Sequence, residues 1–80
     1  MFTYNVAPSF DNKIFAKTCS IIKSKIKDIK KEKLFVDVLD GTQIKTFETN
    51  RGKIKVYNDY DVGAVYVDSE FDLKEIIKQL

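Results

Sequence analysis

Histidine is absent from this 80-residue chain. That removes the commonest general base and the commonest metal ligand at neutral pH. A nucleophile would have to be the one cysteine, Cys19. A reactive thiolate needs an activating neighbour and access. Cys19 instead stands between Phe15 and Ile22 on an apolar stripe, the setting of a small buried hydrophobe. The carboxylates gather late, at Asp59, Asp61, Asp68, Glu70 and Asp72. Hard cations take oxygen ligands of this kind, but a calcium loop also needs a fixed alternation closed by a glutamate. Asn58, Asp59, Asp61 and Gly63 do not keep that register, and Asp68, Glu70 and Asp72 suit the acid-rich start of a helix. Gly41, Gly52 and Gly63 lack the spacing of a phosphate-binding loop. The residues therefore predict a non-enzyme: no catalytic residue, no metal, no cofactor and no small-molecule substrate.

What remains is binding, and here charge is informative. Residues 11–33 hold eight lysines against Asp11, Asp28 and Glu32, while residues 58–80 hold two lysines against six acids; the whole chain is +2. A body with a basic element and an acidic element has an opinion about partners. Lys13, Lys17, Lys23, Lys27 and Lys31, with Arg51, form the nucleic-acid candidate set. Arginine grips phosphate bidentately and reads guanine edges, and Arg51 is the sole arginine. A pI near 8.6 and an acidic last helix also weigh against a phosphate backbone.

The elements that must position these groups follow from periodicity. Phe2, Tyr4 and Val6 alternate as a short strand, ended by Pro8. Ser9 or Asp11 caps a helix over 11–31, with Ile14, Phe15, Cys19, Ile22, Ile26 and Ile29 on one stripe and the lysines opposite. Alternation then predicts a strand over 34–39, a tight turn at Asp40-Gly41, a strand over 42–49 and a loop at Asn50-Arg51-Gly52. A strand around Ile54 and Val56, another over 63–67 and a helix after Ser69 complete the chain. The predicted fold is a single α+β domain over residues 1–80. Its order is β-α-β-β-β-β-α, an antiparallel sheet with two helices packed on one face.

Two helices cannot cover both faces of a sheet. If Leu34, Val36, Val38, Ile44, Ile54 and Val56 face the helices, then Phe35, Phe47 and Tyr57 face away, joined by Leu39 and Tyr66 and interleaved with Lys45, Lys53 and Lys55. Aromatic anchors rimmed by charge are the composition of a partner surface. The predicted protein-binding residues are Phe35, Phe47, Tyr57, Tyr66, Lys45 and Lys55. The predicted function is a small protein-binding module of the inhibitor, immunity or accessory kind. Its partner would be another protein or a second copy of the chain. Nucleic-acid binding through the lysine-rich helix or the aromatic-basic sheet face is the alternative. One cysteine, no leader segment and no long apolar run predict a soluble protein of a reducing cytoplasm, with no membrane partner. The abundance of lysine, isoleucine, asparagine and tyrosine suits AT-rich coding, as in a low-GC bacterium, a mobile element or a virus.

Overall fold

The computed structural model covers residues 1–80. Five strands and two helices follow in the order β1 (Phe2–Ala7), α1 (Asn12–Lys25), β2 (Ile29–Val36), β3 (Gln43–Thr49), β4 (Gly52–Asp59), β5 (Ala64–Ser69) and α2 (Lys74–Ile77). Every strand pairing is antiparallel, and the sheet order is β1-β5-β4-β3-β2. The expected α+β class and element order are those of the structure. β1 and β2 lie on opposite edges, so α1 crosses one face of the sheet to join them. No helix is long and apolar enough to cross a membrane.

α1 starts where its cap demands. The Asp11 carboxylate accepts the Ile14 N–H at 3.0 Å, satisfying one of the free donors of the first turn. Its apolar stripe delivers Phe15, Ile22 and Ile26 to a core completed by Phe47, Ile54, Val56, Val67 and Leu73. The helix ends earlier than its stripe predicts. Ile26 is already extended, and residues 29–36 join the sheet instead. Lys30, Lys31, Glu32 and Lys33 are good helix formers, but pairing with β3 outweighs propensity. Ile29 serves both readings, because a strand entering beneath the helix places it against the same core.

The β2–β3 connection also departs from expectation. β2 stops at Val36, and residues 37–42 form a loop, not a two-residue turn at Asp40-Gly41. Two aspartates build it: the Asp37 carboxylate accepts the Leu39 N–H and the Asp40 carboxylate accepts the Thr42 N–H, both at 2.9 Å. Val38 and Leu39 are thereby lifted out of the sheet and are 93% exposed.

Between β3 and β4 the chain reverses through Asn50 and Arg51, with Thr49 directly opposite Gly52. Gly52 has φ +138°, and a Cβ there would stand 2.9 Å from that of Glu70, so the turn requires glycine. This register corrects the expected faces of β3. Phe47 lies opposite Ile54 and is fully buried beneath the helices, while Ile44 lies opposite Tyr57 on the other face. Leu34 and Val36 do share the side of Phe47, but α1 does not reach them and both stay exposed.

The last helix is shorter than predicted. Ser69 ends β5 and is buried, its hydroxyl engaging the Phe71 backbone and not a helix start. The Asp72 carboxylate receives the Lys74 N–H at 2.8 Å. Tyr4 then ties this end to β1: its hydroxyl accepts the Leu73 N–H and donates to Asp72, each at 2.8 Å.

Candidate docking surface

The face without helices is laid out in rows. Across the strands, Phe35, Ile44, Tyr57, Tyr66 and Asn5 stand side by side. The rings of Tyr57 and Tyr66 stack at 4.5 Å with an interplanar angle of 11°. The Tyr66 hydroxyl donates to the Asp59 carboxylate at 3.1 Å, which fixes that ring. The next row is Lys33, Thr46, Lys55, Asp68 and Thr3, and beyond it come Lys31, Glu48 and Lys53. An apolar band thus runs beside a charged band in which lysine outnumbers acid. Burial in the band raises both tyrosine pKa values, with neighbouring carboxylates adding to the effect; Tyr66 is pushed up to about 12.

Of the predicted protein-binding residues, the structure brings Phe35, Tyr57, Tyr66 and Lys55 together on this face. It removes two. Phe47 is a core residue. Lys45 lies on the helix side, where its ammonium meets Glu32 at 3.2 Å and sits 5.7 Å from the Phe47 ring centre. Both follow from the β3 register, since Lys45 and Phe47 are two residues apart and share a face. Ile44 and Lys33 belong to the surface instead.

The nucleic-acid candidates do not form one face. Lys13, Lys17 and Lys23 are on α1, Lys27 is in the turn after it, and Lys31 is on β2 opposite Glu48. Lys23 pairs with Glu32 at 3.2 Å. Arg51 is committed elsewhere. Its guanidinium grips Asp28 through two hydrogen bonds of 2.7 and 3.3 Å and lies 4.6 Å over the Phe71 ring. That pairing holds the Asp28 carboxyl below its usual range. The late acids are likewise dispersed into separate tasks. Asp59 receives Tyr66 and the Val62 N–H, Asp68 receives the Thr3 hydroxyl, Glu70 receives the Lys53 N–H, and Asp72 receives Tyr4. Replacing Lys13, Lys17 and Lys27 together by glutamine is expected to change stability by no more than about 0.5 kcal/mol per site. All three are exposed, and thermal melts of the triple variant check it.

Cys19 is partly exposed and packs against the core, shallower than its stripe implies. Burial pushes its thiol up to about 11 from an ordinary value of 9.0. The folded state therefore holds this proton more tightly than the unfolded chain does. Its contribution is complete below the ordinary value and is lost as pH climbs toward the folded one. Melting temperature should fall as pH rises from 9 to about 11, and Cys19→Ala should flatten that part of the profile.

No protein-family model, curated protein or solved structure matches this chain.

Proposed function

We propose that the protein acts by binding, not by catalysis, and that another protein docks on the helix-free face of its sheet. The row Phe35–Ile44–Tyr57–Tyr66 is the observation that supports this reading. It is an aromatic and aliphatic band on rigid strands, flanked by Lys33 and Lys55. Interfaces favour aromatic anchors within a polar rim. The stacked tyrosines lose little freedom on docking, because Tyr66 is already held by Asp59. A preformed surface of this type suits an inhibitor, immunity or accessory role.

Nucleic acid on the same face is the second reading, favoured by Lys33 and Lys55 beside the rings. Asp59 and Asp68 oppose it, as they place carboxylates next to the tyrosines that bases would stack on.

The test is co-purification from the native host, identification of the partner, and titration against wild-type protein, Tyr57→Ala and Phe35→Ala. Tyr57→Ala should weaken binding by about 2 kcal/mol, roughly 30-fold. Equal affinity for both variants and wild type would exclude this face. A partner that is nucleic acid, with affinity falling steeply in salt, would select the second reading.

A further inference from the structure

β2 is an edge strand whose two halves differ. Exposed edges are normally blunted by lysines, prolines or bulges. β2 up to Lys33 has such protection: Lys30, Lys31 and Lys33, and a register irregularity between Ile29 and Lys31. Beyond Lys33 there is none. Leu34, Phe35 and Val36 are 53%, 58% and 46% exposed, and Val38 and Leu39 follow in the loop. That loop is anchored, since Thr42 accepts the Tyr60 N–H at 3.0 Å and Asp37 and Asp40 hold its turns.

The backbone groups that this half turns away from β3 are also unpaired. Asp37 donates its N–H to the Thr42 carbonyl at 2.8 Å, continuing the β2–β3 register. In an antiparallel ladder, alternate residues turn their polar groups to one neighbour. Asp37, Phe35 and Lys33 therefore address β3, and Glu32, Leu34 and Val36 present N–H and C=O groups to the open edge.

We propose that the protein pairs with a second copy of itself, β2 against β2, antiparallel about a two-fold axis at Phe35. The occupant follows from self-complementarity. In this register Phe35 meets Phe35, Leu34 meets Val36 and Lys33 meets Asp37. Across residues 33–37 apolar groups face apolar groups on both sides of the sheet, and each Lys33 faces an Asp37 carboxylate. Moving the axis to Leu34 sets Lys33 against Phe35 and Glu32 against Val36. Moving it to Lys33 sets two like charges together. The open N–H and C=O groups of Leu34 and Val36 then bond across the axis, in the manner of strand addition. The result is one ten-stranded sheet. On its helix-free side the row Tyr66–Tyr57–Ile44–Phe35 continues into its own mirror order in the second copy. This pairing uses the strand edge and does not depend on the docking reading of the sheet face.

Sedimentation equilibrium of the full chain, up to about 1 mM, tests the association. Wild type should be dimeric. Phe35→Lys should raise the dimer dissociation constant at least tenfold while its circular dichroism and melting remain those of a folded domain. A second measurement reports the register. In a Cys19→Ala background, Phe35→Cys should oxidise to a covalent dimer, because a directly opposed, non-hydrogen-bonded pair has Cα atoms about 4.5 Å apart, within disulfide reach. Leu34→Cys should not, because its own copy is diagonal to it at about 7–8 Å. A monomeric wild type, a dimer untouched by Phe35→Lys, an open series of higher oligomers, or equal crosslinking of the two cysteine variants would each overturn the proposal.

Discussion

Phe47→Ala is expected to leave the protein barely folded. The ring is fully buried, lies directly opposite Ile54, and stands in the cluster that α1 closes with Phe15, Ile22 and Ile26. Truncating a buried phenylalanine costs about 3–5 kcal/mol, as transfer energy and as the cavity left behind. A chain of this length has only about 4–12 kcal/mol in total. The melting temperature should fall by roughly 20 °C. Ile44→Ala is the internal control. Ile44 occupies the same strand on the opposite face and is half-buried, so its truncation should cost much less. Thermal melts of the two variants therefore read the face of β3 directly. A small loss for Phe47→Ala with a large one for Ile44→Ala would mean that the strand is turned over.

The second large effect is expected at Asn58. Its side chain is fully buried within the sheet, yet no polar atom there lacks a partner. Its oxygen accepts the Asp11 N–H at 3.0 Å, and its amide nitrogen donates to Asn12 at 3.0 Å and to Gln43 at 3.2 Å. One residue thus joins β4, β3 and the start of α1. Asn58→Leu keeps the branching and heavy-atom count of the side chain and strips those bonds, leaving the Asp11 donor and the two side-chain oxygens to find other partners. Buried polar groups left unpaired cost about 1–3 kcal/mol each, so a total of roughly 2–3 kcal/mol is expected. The loss should be localised as well as global. Asp11 is the residue that caps α1 through Ile14, so hydrogen exchange in the first turn should accelerate more than at Ile22. Uniform acceleration along the helix would show that Asn58 does not act through the cap.

Neither site is legible in the sequence, which sets Phe47 on the open face and Asn58 in a loop, although the strand between them reads correctly. Strand parity in β4 is unambiguous, because Ile54 and Val56 alternate with Lys53, Lys55 and Tyr57. The structure keeps that division. Tyr66 and Phe35 follow from similar alternation. β3 carries one large apolar residue on each parity, Ile44 and Phe47, so hydrophobicity alone does not choose its face. Turn length does. A three-residue loop at Asn50-Arg51-Gly52 leaves the register open, whereas the actual two-residue reversal sets Thr49 opposite Gly52 and so Phe47 opposite Ile54. The length of β2 was hidden for a different reason. Lys30, Lys31, Glu32 and Lys33 carry no apolar alternation, and only the presence of β3 beside them makes a strand. Val38 looked like a strand residue because its spacing from Val36 is two. The aspartates at 37 and 40 are the signal that the strand has ended, since each turns the chain through its own carboxylate. Arg51 was visible as a lone cation. Its partner Asp28 lies 23 residues away and is brought near only by the completed sheet.

The pairing of the first strand with the last also sets a timetable for synthesis. β3, β4 and β5 can pair with neighbours as they emerge, but Tyr4 must meet Val67, 63 residues later. At about 5–20 residues per second, β1 leaves the ribosome roughly 3–12 s before its partner exists. α1 follows it out, with an apolar stripe that has no sheet to lie on until β3 and β4 arrive. Both elements therefore stay uncovered for those seconds of synthesis. Slowing translation after residue 36 would lengthen that interval, and quickening it would bring the closing strand sooner.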